Sequence, residues 1–145
     1  MSMIDVFRSL GRTDALKLRE NASAMTGTQI IENEHSAPAF DPQKDYSTWP
    51  VGSPVTDDGQ VWLLIQPYNA ANHPGTRPST LRALWGLAHT KDPKRAKPWV
   101  APYGTSGMYM SGECYMDADG VVYRAKNDNT VHDAVTYPAG WEVVE

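Results

Sequence analysis

The chain has 145 residues with 13 basic and 17 acidic side chains, a formal net charge of −4 and a pI near 5.5. That balance excludes the basic face of a nucleic-acid binder, and no apolar run approaches the roughly 20 residues needed to span a bilayer. The lone Cys114 excludes an intrachain disulfide, and no Cys/His set has zinc spacing.

The start, Met1-Ser2-Met3-Ile4-Asp5, lacks the basic-then-apolar order of a secretory signal. The expectation is a product made soluble in the cytosol, leaving it only as part of an assembly or through lysis. Residues 1–36 read as helical. Ile4, Phe7 and Leu10 recur at helical spacing, Gly11 is a stop, and Thr13 is placed to cap the next helix. Residues 14–24 are rich in helix formers. Thr26-Gly27-Thr28 interrupts them, and Gln29 to Glu34 fits a short helix or, through Ile30-Ile31, a strand.

The composition then changes. Of the fourteen aromatics only Phe7 precedes residue 40, the first proline is Pro38, and all five tryptophans fall from Trp49 onward. This break places a domain boundary near residue 38. Val61 to Ile65 follows the hairpin signal Asp57-Asp58-Gly59, and Val121-Val122-Tyr123 follows Asp117-Ala118-Asp119-Gly120 in the same way. Short strands with such close turns predict small antiparallel sheets. Modules of about 45 residues bury too little apolar surface to be strongly stable alone. With no disulfide and no zinc set, they must pack on a neighbour or oligomerise.

Self-comparison shows one order of landmarks twice. The first half reads Phe40, Trp49-Pro50-Val51-Gly52, Asp58-Gly59, Trp62, Pro78 and Trp85. The second reads Trp99, Tyr109-Met110-Ser111-Gly112, Asp119-Gly120, Tyr123, Pro138 and Trp141. An insertion lies around Pro67 to Gly75 in the first copy. The fold expected is mainly β with an N-terminal helical segment and two tandem small antiparallel β-modules. The divisions are 1–37 (helical, anchoring or oligomerising), 38–89 (first module), 90–97 (linker) and 98–145 (second module). The basic run Lys91 to Lys97, broken by Asp92 and Pro93, reads as solvated linker rather than a phosphate-binding patch.

The pattern Trp99…Tyr109-x-x-Gly112-Glu113…Asp119-Gly120-Val121-Val122-Tyr123…Pro138-Ala139-Gly140-Trp141 resembles the chitin- and cellulose-binding modules of carbohydrate-binding families five and twelve. The flanks Pro98-Trp99-Val100 and Tyr137 to Val143 are similar to tandem modules of phage and prophage tail-associated proteins. An Ala-Leu-Lys-Leu-Arg stretch like Ala15 to Arg19 also begins such proteins. The resemblance covers residues 38–145 well and 1–37 weakly. It implies a virion accessory protein of tail, baseplate or capsid surface, a homo-oligomer held to other virion proteins through residues 1–37. Its modules would contact a polysaccharide or cell-surface glycan, with no catalysis, no cofactor, no metal, no nucleic acid and no membrane insertion. The alternative is a purely structural decoration or assembly protein that binds no sugar. The chain departs from the family where Gly-Asp precedes the second strand, carrying Gly112-Glu113 and Gly52-Ser53. Pro54 also stands where the second copy has Cys114, which removes a ladder donor and puts that strand at an edge.

A sugar needs flat apolar faces for its C–H side and a few oriented polar groups. Trp99, Tyr109, Tyr123 and Trp141 are the candidates in the second module, and Trp49, Trp62 and Trp85 in the first. Each has a competing role as core, because so small a module has little else to fill it. That role weighs more for Tyr123 and Trp141, and most for the first-module rings with Phe40. Asp117-Ala118-Asp119-Gly120 shares the opening of a calcium loop but lacks its later ligands, so a hairpin turn is expected. The scattered His35, His73, His89 and His132 read as surface residues, and no nucleophile–base pair or phosphate-cradling loop appears.

Overall fold

The computed structural model describes residues 14–145. The expected helix around Ile4, Phe7 and Leu10 lies outside the described residues. Residues 14–21 are helical (α1), and α2 spans Gly27–Glu32. Between the helix and the strand that Gln29 to Glu34 could form, the capping decides. The Thr26 hydroxyl accepts from Gln29 N while the Gln29 side chain accepts from Thr26 N, a reciprocal box that satisfies two otherwise orphaned donors.

The remainder is mainly β, in two small sheets. The first contains β1 (Pro54–Asp57), β2 (Gln60–Leu64) and β3 (Trp85–Leu87), all antiparallel. The second contains β4 (Lys97–Pro98), β5 (Cys114–Met116), β6 (Val122–Ala125) and β7 (Trp141–Val144) in that order, with β4 parallel and the others antiparallel. Both predicted hairpins form. Asp58 and Gly59 take φ of 53° and 73° between β1 and β2, the left-handed pair that a two-residue turn demands. The second turn is one residue longer and is closed by Asp117 N donating to Val121 O at 2.9 Å.

The sheets repeat one hydrogen-bond plan. Gly52 N donates to Leu64 O at 2.7 Å, as Gly112 N donates to Ala125 O at 2.9 Å. Leu64 N returns to Ser53 O and Ala125 N to Glu113 O, both at 2.9 Å. Leu64 pairs with Trp85, and Ala125 with Trp141. Even the parallel strand has its counterpart, an isolated bridge from Ala39 to Thr56 where β4 pairs Pro98 with Met116. Phe40 thus corresponds to Trp99, Trp49 to Tyr109, Trp62 to Tyr123, and Trp85 to Trp141.

Strand alternation sorts the side chains. Val55, Trp62, Leu64, Trp85 and Leu87 face one core with Tyr46, Trp49 and Tyr68. Val61, Leu63 and Ala88 face the other way, onto Ala22, Met25, Ile30 and Ile31. The helical segment therefore forms the second layer of the first module. Its apolar residues Ala22, Met25, Ile30 and Ile31 are spent inside the chain. Tyr109, Tyr115, Ala125 and Trp141 make the smaller core of the second module.

Residues 90–97 connect the modules and are tied down at both ends. Thr90 is buried and bridges Cys114, Lys91 N donates to the Thr28 hydroxyl, and Lys97 belongs to β4 and pairs with Glu34 at 2.6 Å. The apolar demand of two small cores is met here by neighbours rather than by covalent staples.

Candidate functional site

The ring-bearing positions divide by burial. Trp49, Trp62, Trp85, Tyr109 and Trp141 are all buried. As stacking platforms these five are corrected to core, for a physical reason: modules this small depend on their large rings to fill the core and exclude water. Three of their ring N–H groups are satisfied inside. Trp85 Nε1 donates to the Tyr68 hydroxyl at 2.7 Å, Trp141 Nε1 to His132 O at 2.8 Å and Trp62 Nε1 to Asp57 O at 3.3 Å. The rings meet mostly edge to face, Tyr46 against Trp49 at 4.7 Å and Tyr115 against Trp141 at 4.8 Å. Such an arrangement fills volume and offers no coplanar surface.

Trp99 and Tyr123 differ, for both are only half-buried. They border an open hollow of about 460 Å³ whose floor includes Tyr115 and Met116. Trp99 is positioned by β4 and by stacking on Tyr109, with centroids 4.9 Å apart and planes 11° apart. Tyr123 stacks on Tyr115 at 5.3 Å. The rim carries Asp117, Asp133 and Val135, whose side is open to solvent. Asp117 Oδ1 accepts from Asp119 N and Val121 N, both at 2.9 Å, so this acid is a turn-former, as expected, that also edges the hollow. Asp133 Oδ1 accepts from Thr136 N at 2.9 Å, and its hydrogen bonds with Thr136 hold its carboxyl below the ordinary range. Apolar ring faces below and fixed carboxylates at the edge can hold the C–H face of a pyranose and accept from its hydroxyls.

The corresponding place in the first module is a hollow of about 490 Å³ lined by Phe40, Pro42, Gln43, Asp57, Gly75, Thr76 and Arg77. Its chemistry is unlike that of the second. Arg77 Nε and Nη2 grip both Asp57 carboxylate oxygens at 2.8 Å. Trp62, which corresponds to Tyr123, lies beneath the Arg82 guanidinium at 5.2 Å, and Val100 packs on the same core. Trp62 is thus covered by Arg82, a residue of its own module.

No family model and no curated protein matches the chain. Among the described residues no helix is long and apolar enough to cross a membrane, and no three His, Cys, Asp or Glu side chains come together to hold a metal ion.

His89 is the histidine that sequence reading misplaced. It is buried between the modules, its ring on Tyr109 at 3.6 Å and its Nε2 at 2.8 Å from Gly107 O. Burial lowers its pKa to about 4, so near neutral pH it is an uncharged imidazole donating to that carbonyl. Two well-exposed rings were also missed, Tyr103 and Tyr137. Tyr103 lies between Pro102 and Gly104, in a tight turn where it bridges Ser106, and that flanking pair was the available signal. Val135, at 88% exposure, had no signal of its own beyond its position in a polar loop.

Proposed function

We propose that the chain is a carbohydrate-binding accessory protein of a bacteriophage virion, touching cell-surface glycans through the hollow beside Trp99 and Tyr123. The observation that carries the sugar role is this hollow, where two half-buried rings border an open apolar floor beside fixed carboxylates. The virion setting rests on the resemblance of the tandem modules. A site this shallow binds weakly, and a homo-oligomer on a virion would multiply it into useful avidity. No catalytic step and no cofactor are part of this function.

A second function, structural decoration or assembly of the virion without sugar binding, is favoured by the burial of five of the seven proposed rings in core. Binding of the full chain, displayed multivalently, to chito-oligosaccharides and to host-cell polysaccharides separates the two. The sugar role expects saturable binding that weakens at least tenfold in Val135→Arg, a change at an 88% exposed position that crowds the hollow without touching the core. A folded multivalent chain that binds none of these glycans, or binds them equally well as Val135→Arg, leaves the structural role standing.

A further inference from the structure

Trp49 and Tyr109 occupy the same place in the two modules, and each ring is roofed by a side chain from the preceding segment. Over Tyr109 the roof is His89, which is uncharged near neutral pH and hydrogen-bonded to Gly107 O. Over Trp49 it is Arg19, with its guanidinium carbon 3.9 Å from the ring centroid. The Lys44 ammonium lies over the same indole at 5.4 Å. A neutral, satisfied imidazole therefore suffices to cover this position, whereas the first module places a guanidinium and an ammonium there.

Those cations are under-used. Among the described residues neither Arg19 nor Lys44 belongs to an ion pair, although four other pairs form. Arg19 Nε is buried with no hydrogen-bond partner there, which is costly for a charged donor. Both side chains line an open hollow of about 270 Å³ with Trp49, Pro38 and Asp41. The hollow also carries one carboxylate, Asp41, whose Oδ1 accepts from Gln43 N at 2.9 Å, so one negative charge stands there against two positive ones. A guanidinium offers a planar fork of donors and an ammonium adds a point charge, a pairing suited to an oxyanion.

We infer that Arg19 and Lys44 over Trp49 form an anion-binding site, taking a carboxylate or phosphate group such as acidic glycans carry. It is separate from the hollow at Trp99 and Tyr123 and does not depend on that hollow binding sugar. The ligand's oxyanion would accept from the Arg19 Nη donors, with Lys44 supplying the second charge, while the indole holds both cations in place through its π face.

The test is a titration of the full chain, following the Trp49 indole N–H resonance, assigned with Trp49→Phe. The probes are glucuronate, methyl phosphate and uncharged methyl glucoside at constant ionic strength. A saturable shift with glucuronate or methyl phosphate, absent with the glucoside and at least tenfold weaker in Lys44→Gln, supports the site. The two anions separate a carboxylate-bearing from a phosphate-bearing ligand. Because Arg19→Gln could loosen α1, Lys44→Gln, at an exposed position, is the deciding variant, and its thermal unfolding should match the parent's. No saturable shift with either anion overturns the inference, as does an equal response in Lys44→Gln.

Discussion

Burying a histidine between two modules makes the acid side of the stability curve depend on one residue. The ordinary His89 pKa of 6.5 falls to about 4 in the folded chain, chiefly because burial disfavours the imidazolium. The unfolded chain therefore takes up this proton first, and stability complete above pH 6.5 declines as pH falls toward about 4. Fully expressed, the shift corresponds to about 3 kcal/mol. Urea unfolding between pH 7 and pH 4 should show this slope, and His89→Gln should flatten it. A parallel slope in the variant would assign the effect to carboxylates instead. The Trp85–Tyr68 pair offers a second test of the same kind of accounting. Tyr68→Phe leaves the buried Trp85 N–H without its 2.7 Å acceptor, and a loss of about 1–3 kcal/mol is expected in denaturant unfolding. At this scale the sequence was least legible. Trp99 and Tyr109 are both amphipathic aromatics and stack as neighbours, yet one is half-buried and the other is sealed. His89, arriving from the other module, covers Tyr109 and is one contact that distinguishes them.

Turns and caps were far more readable, because their causes are local. Asp-Gly between apolar runs gave both hairpins, and the Gly positions after Trp49 and Tyr109 marked the bend into β1 and β5. Gly52 and Gly112 share nearly one conformation, φ of 93° and 91°, which a side chain rarely adopts. Ala at either should cost about 1–2 kcal/mol in strain, with Gly52→Ala the worse of the two. Its new methyl would press on the Ser23 backbone at 3.3 Å, whereas at Gly112 the nearest neighbour is the flexible Lys91 side chain at 3.5 Å. Equal unfolding midpoints for the two variants would contradict that ordering. The helical segment was legible as helix but not in its destination. Ile30-Ile31 marks an element with something to bury, and the apolar alternation Val61, Leu63 on β2 marks a sheet face needing cover. Matching one to the other requires a contact across some thirty residues that no local pattern encodes. Anchoring to a partner was the natural expectation for a segment whose apolar side had no visible mate.

Across the whole molecule the same distinction decides how the chain unfolds. Two modules joined by a solvated linker would unfold independently. Instead Gln60 Nε2 donates to Pro98 O at 3.0 Å, Arg82 Nη1 donates to Ala101 O at 3.0 Å, and Lys97 pairs with Glu34. Val100 packs on the first core, His89 is roofed into the second, and Thr90 bridges β5. Each small core is thus completed by residues from outside its own repeat. A single cooperative transition should follow for the full chain, with calorimetric and van't Hoff enthalpies in agreement. Removing residues 1–37 uncovers Val61, Leu63 and Ala88, the face on which Ile30 and Ile31 pack and where Val61 and Ala88 are buried. Losing two such side chains is worth several kcal/mol, each on the order of 2–5 by comparison with large-to-small core changes. The 38–145 fragment should therefore melt well below the full chain or self-associate through the bared sheet, as analytical ultracentrifugation would reveal. A monomeric fragment with an unchanged melting temperature would mean that the helical layer contributes no cover, and the segment would return to being an arm available for partners.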